Sequence, residues 1–202
     1  MTLIAFEGID GAGKTTLIRE VGKDLKYQEA LEVKFLKEPD DSHWTGSVVR
    51  QALEKDTHPV TDTLLFAADH AEHVKNKVVP NLRSFDVVLQ DRSPVSMYAY
   101  QPVTLQSVMD SPEQWIENIY SDWVKIPDVV IYLDIDVSVA FDRINSSDKY
   151  EKGLFLKEVL GNYRQMPDSL PYDMEWYTID GSEDVDTVRT MILKVLEDND
   201  HI

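Results

Sequence analysis

The chain has 202 residues, with 20 Lys and Arg against 37 Asp and Glu, a formal net charge of −17, and no cysteine. That length makes one ordinary domain, and an apolar fraction of 43% is enough for a sizeable core. The missing cysteines exclude disulfides, thiolate nucleophiles and Cys-ligated metal centres. The negative charge disfavours a nucleic-acid partner, which calls for a basic face. It leaves room for a small nucleotide held by backbone N–H groups and a few cations. The opening Met1–Glu7 has no basic leader, and no stretch reaches the roughly 18 apolar residues of a membrane span. A cytoplasmic protein without a membrane partner is therefore expected.

In chain order, Thr2–Glu7 reads as a buried strand and is followed by helical residues from about Gly13 to Lys26. Leu31–Leu36 reads as a second strand. Helical patterns occupy about 45–55 and 61–82, the latter with Leu64, Leu65, Ala68, Ala71, Val74 and Val78 as its apolar face. Asp86–Asp91, Asp128–Asp134 and Glu175–Asp180 are three further strands. A last helix begins near Ser182, read as its N-cap, and carries an apolar stripe of Val185, Val188, Ile192, Val195 and Leu196. Near-continuous apolar strands alternating with helices predict an α/β fold, a five-stranded parallel sheet covered by helices on both faces. No linker or repeat divides it, and the polar segment 143–153 is expected to act as a lid over a single domain, 1–202.

Gly8-Ile9-Asp10-Gly11-Ala12-Gly13-Lys14-Thr15 satisfies G-x-x-x-x-G-K-[ST] between a strand and a helix. The glycines let backbone N–H groups turn around phosphate oxygens, and the helix N-terminus adds its dipole. Lys14 is expected on the β- and γ-phosphates, the Thr15 hydroxyl on Mg²⁺, and Thr16 beside it. ATP or GTP binding follows. Strand C-termini face the crevice of such sheets, which turns attention to Glu38-Pro39 after the second strand and Asp91-Arg92 after the third. A carboxylate at Asp91 suits the Mg²⁺ shell, and Arg92 can clamp a phosphate through its fork.

Together these residues resemble the thymidylate kinase family over nearly the whole chain. The phosphate loop is similar to the family's G-x-D-G-x-G-K-T, and Leu36–Pro39 to its R-E-P stretch. Leu64–His73 resembles its L-L-F-A-A-x-R-x-x-H helix. Asp91-Arg92 through Ser96 to Ala99-Tyr100-Gln101 keeps its D-R-Y-x-x-S-x-x-A-Y-Q spacing. Pro127–Asp134 and Asp148–Glu151, with Tyr150, resemble its P-D-L-x-x-Y-L-D strand and the end of its lid. The resemblance implies a P-loop nucleoside monophosphate kinase that moves a phosphoryl group from MgATP to dTMP. Carried over, Phe66 would stack on the base, Arg92 and Arg50 would hold the acceptor phosphate, Tyr100 and Asp10 would lie near the deoxyribose, and Gln101 near the base or sugar. It also implies pairing into a homodimer.

The sequence departs from that pattern in several places. His70 stands where the family has an arginine that reaches the base, and Met97 where many members carry a Ser or Asn, so dUMP or another pyrimidine monophosphate is an alternative acceptor. Gly11 and Ala12 give the loop no arginine, leaving Arg143, Lys149 and Lys152 of the lid region as the candidate cations. Asp40-Asp41 replace a Gly pair, and Ser93 replaces a Tyr. Glu38-Pro39 near Trp44, with Asp91-Arg92-Ser93, keeps a deoxynucleoside kinase open, in which Glu38 would be the general base for a 5′-OH. A nucleotide-binding regulator without turnover is the third reading.

Overall fold

The computed structural model describes residues 1–144 and 150–202, with side chains described for 1–143 and 153–202. The chain runs β1 (Thr2–Glu7), α1 (Lys14–Tyr27), β2 (Val33–Lys37), α2 (Trp44–Leu53) and α3 (Pro59–His73). A π-helical turn over Val74–Val78 then leads into α4 (Val79–Leu82). There follow β3 (Val87–Asp91), α5 (Val95–Leu105), α6 (Pro112–Tyr120), β4 (Val129–Asp134), α7 (Val137–Ile144), α8 (Tyr150–Ser169), β5 (Glu175–Asp180) and α9 (Val185–Asp198).

The five strands are parallel in the order β2-β3-β1-β4-β5. Consecutive residues of β1, β3 and β4 are buried although they point alternately to the two faces, so both faces must be covered. Helix α1 packs on α9 and over β2 and β3, while α5 packs against α3, α6 and α8. The edge strands β2 and β5 are only partly buried. Because β2, β3 and β1 are adjacent, the loops leaving them bring Glu38, Arg92 and Gly8 to one end of the sheet, where ligands of such folds bind.

Two local readings are corrected. Helix α9 is capped by Asp184 rather than Ser182: the Asp184 carboxylate accepts from the N–H groups of Asp186 and Thr187. Ser182 instead donates its own N–H and hydroxyl to Asp180. The second correction concerns α3, whose buried face is Thr63, Ala67, Asp69, His70 and His73. Leu64, Ala68 and Ala71 of the expected apolar face are exposed.

Helix α2 lies hard against the loop after β2. A Cβ on Gly46 would stand 2.2 Å from the carbonyl oxygen and 2.6 Å from the carbonyl carbon of Asp40. Intrinsic helix propensity favours Ala over Gly. Gly46→Ala should nonetheless lower stability by about 2 kcal/mol, the usual cost of overpacking. Urea unfolding checks this, and an unchanged midpoint would mean that the loop yields freely.

Candidate active site

The phosphate loop joins β1 to α1. Gly11 has φ +87°, and a Cβ there would meet the Ala140 carbonyl oxygen at 2.6 Å, so only glycine fits the turn. Gly13 precedes α1 with no side-chain cap, which leaves the first helical N–H groups open to an anion. The Lys14 ammonium is folded back onto the carbonyls of Gly8 and Ile9, 2.9 Å from each. Burial, and next the nearby Arg92 charge, push its pKa down to about 8, against the pull of Asp10, Asp91 and Glu7. The Thr15 hydroxyl donates to the Asp91 carboxylate at 2.5 Å. These two oxygens meet beside the loop.

Arg92 follows β3 with φ +64°. A non-glycine residue rarely holds this left-handed conformation without tertiary support. The support is a buried carboxylate that the sequence reading missed, Glu7 at the end of β1. One of its oxygens accepts from the Ser93 N–H and hydroxyl, both at 2.8 Å, and the other from the Ser96 hydroxyl at 2.6 Å and the Tyr163 hydroxyl at 2.8 Å. Burial raises its pKa, while Arg92 and these donors oppose the rise. A charged residue closing an otherwise apolar strand was the signal available. Ser93, in place of the family's Tyr, is thus an internal donor to Glu7.

The Arg92 guanidinium reaches Asp10 at 2.6 Å, the Ser96 hydroxyl at 3.2 Å and the Tyr100 hydroxyl at 3.2 Å, and lies 5.0 Å from the Tyr100 ring centroid. Three of the expected residues are thereby gathered around it. The Gln101 side-chain carbonyl accepts from Thr63 and Thr104, both at 3.3 Å. One cavity of about 1640 Å³ runs from Gly11–Thr16 past Arg92, Ser96 and Tyr100 to Phe66, Met97 and Gln101.

Several expected contacts differ. His70 is buried, with Nε2 2.8 Å from Glu38 and Nδ1 2.6 Å from the Tyr120 hydroxyl, so both ring nitrogens are already engaged. Burial alone would lower its pKa, but Glu38 outweighs this and raises it. Glu38 is therefore the partner of an imidazolium rather than a free general base, and Trp44 is 72% exposed. Arg50 lines the cavity, but its guanidinium pairs with Asp41. The acidic pair that replaces Gly-Gly is thus matched by cations, Asp41 by Arg50 and Asp40 by Lys77 at 3.9 Å. Arg143 donates to the carbonyls of Gly11 at 3.4 Å and Ser182 at 3.1 Å. It braces the phosphate loop and lines the same cavity. Lys149 and the side chains of Tyr150 and Lys152 lie outside the described residues.

The thymidylate kinase family profile matches residues 6–192. The chain belongs to the thymidylate kinase family. It is similar to a probable thymidylate kinase of Methanococcoides burtonii, with 36% identity over 96% of this chain and 95% of the relative. It is 37% identical to one from Halobacterium salinarum over 84% of this chain and 83% of the relative. A third, from Halorubrum lacusprofundi, is 34% identical over 97% and 98%. Membership in this kinase family accounts for the phosphate loop and favours the monophosphate kinase over the deoxynucleoside kinase and the regulator. No helix among the described residues is long and apolar enough to cross a membrane.

The state of Lys14 gives a pH-dependent signature. Polyphosphate brought against it stabilises the ammonium, so the complex holds a proton that the free protein has half lost near pH 8. Nucleotide binding near pH 9 should therefore take up protons, and affinity should fall as pH rises through that range. Calorimetry in buffers of different ionisation enthalpy measures the uptake. No uptake would mean that Lys14 does not meet the phosphates.

Proposed function

We propose that the chain is a cytoplasmic kinase that transfers the γ-phosphoryl group of MgATP to the 5′-phosphate of dTMP or a closely related pyrimidine deoxynucleotide. The observation that carries this reading is the single cavity joining the phosphate loop to Arg92, Tyr100, Phe66 and Gln101. Donor and acceptor phosphates are both anionic, so the chemistry consists mainly of bringing them in line and neutralising their charge. Lys14 leaves its own loop carbonyls for the donor phosphates, and Thr15 with Asp91 would hold Mg²⁺, which neutralises phosphate charge when bound. Arg92, preset by Glu7, Ser96 and Tyr100, grips the acceptor phosphate through its fork. No general base is needed, because the acceptor oxygen is already anionic.

At the far end, Phe66 stacks on the base and Tyr100 and Asp10 crowd a 2′-OH. Gln101 has its carbonyl held by Thr63 and Thr104, which leaves its amide N–H groups for the base edge. His70 is withdrawn into its pairing with Glu38, so base selection rests on shape and Gln101. A panel of dTMP, dUMP, dCMP, dGMP and thymidine, read by ADP release, tests this. Turnover is expected on dTMP and, less selectively than a site with more donors would allow, on dUMP. Turnover on thymidine alone would overturn the reading. Arg92→Ala should lower kcat by about three orders of magnitude while nucleotide affinity changes little.

A second copy of the chain is the partner we propose for α3. Leu64, Ala68 and Ala71 form an exposed apolar row one helical face wide, and Leu64 is 47% exposed. Light scattering should give twice the chain mass, and Leu64→Glu should give the monomer. A wild-type monomer at micromolar concentration would refute the pairing.

A further inference from the structure

Beside the nucleotide cavity lies a second cluster that the phosphoryl-transfer chemistry does not use. Among the described residues, four buried side-chain atoms without a hydrogen-bond partner gather here, one each of His43 and Asp69 and both ring nitrogens of His73, next to a Glu38 carboxylate that is ion-paired with His70. Native proteins seldom leave such groups unpaired, and a concentration of them calls for a missing partner. His73 is the extreme case: it is 1% exposed, and neither ring nitrogen has a hydrogen-bond partner. Its nearest anion is the Glu38 carboxylate, 3.7 Å from Nε2. The His43 ring stands edge-on to it at a centroid distance of 6.3 Å, with its own Nε2 buried and unpaired.

A ligand nitrogen from each imidazole and a carboxylate oxygen of Asp40 lie within 4.8 Å of one another. We propose that Asp40, His43 and His73 bind one divalent transition-metal ion of the Zn²⁺ type. Two imidazoles and one carboxylate are the borderline donor set that Zn²⁺ takes at about 2.0–2.2 Å, with water or a further carboxylate as fourth ligand. One Asp40 oxygen already accepts from the Ser42 N–H at 2.9 Å, which orients the carboxylate as an outer-shell contact would. The other lies 3.9 Å from the Lys77 ammonium, the only cation paired with Asp40 among the described residues. A bound ion would replace Lys77 as the counter-charge and send it to solvent.

The ligands come from separate parts of the chain. Asp40 and His43 sit in the loop between β2 and α2, and His73 closes α3 immediately before the π-helical turn. The ion is therefore a structural clasp between that loop and α3, and it gives a partner to one ring nitrogen each of His43 and His73.

The test uses the full chain, stripped with chelator and free of nucleotide, titrated with Zn²⁺ by calorimetry and with Co²⁺ by visible absorption. The expected result is one ion per chain, an intense Co²⁺ band of tetrahedral type and a higher Tm with Zn²⁺. His43→Ala and Asp40→Asn should each weaken binding at least tenfold, and Lys77→Met should tighten it. His43 and Asp40 are partly exposed, so these variants are expected to fold, and circular dichroism checks that they do. Wild-type protein that takes up no ion overturns the proposal. So does uptake that the His43 and Asp40 variants retain at full strength, since the ion would then be held elsewhere.

Discussion

The carboxylate of Glu7 is the interaction on which the rest of the site depends. It ends β1 in the middle of the sheet, buried, and draws together Ser93 and Ser96 from the turn after β3 and Tyr163 from α8. Those contacts hold the turn in which Arg92 keeps a left-handed backbone, a conformation that costs free energy unless the surroundings impose it. The direction of the guanidinium, and with it the acceptor half of the cavity, follows from a group that never faces a substrate. An apolar residue at position 7 would pack as well in the sheet but would leave several buried donors without an acceptor, a heavier loss than the bonds themselves.

The donor half is organised by the opposite logic. Lys14 is satisfied by carbonyls of its own loop, so its charge is stored rather than displayed. In the proposed reaction it becomes a phosphate ligand when a polyanion competes successfully with those carbonyls. Arg92 is preset, and its charge, after burial, weakens the hold of Lys14 on its proton.

Much of this was legible in the sequence. Strands β1, β3 and β4 fall within a residue of their expected bounds because buried parallel strands are short, apolar and bounded by turn residues. The phosphate loop is fixed by glycines that the turn demands. What was not legible came from tertiary contacts. Periodicity identified α3 as amphipathic but could not say which face would be covered. Asp69, His70 and His73 go inside because partners there, Thr45 for Asp69 and Glu38 for His70, come from distant segments. Glu7 went unnoticed because a lone carboxylate at a strand end acquires meaning only from the residues folded around it. His70 resembled a base-reading position, yet its nitrogens were already committed to Glu38 and Tyr120. The cap of α9 moved from Ser182 to Asp184 because Asp180 engages the serine first.

The charge distribution around the cavity has a kinetic consequence. Of the described side chains lining it, eight are basic and seven acidic, whereas the chain as a whole has 20 basic and 37 acidic residues. The mouth is close to neutral and is set in a strongly negative body. A nucleotide diffusing in meets the repulsion of that body once it comes within about one Debye length, some 10 Å at 0.1 M salt. In the proposed reaction, added salt therefore quickens encounter while it loosens the grip of Lys14 and Arg92, the reverse of the usual steering of anions by a basic funnel. Exchange of nucleotides is fastest where ionic strength is high.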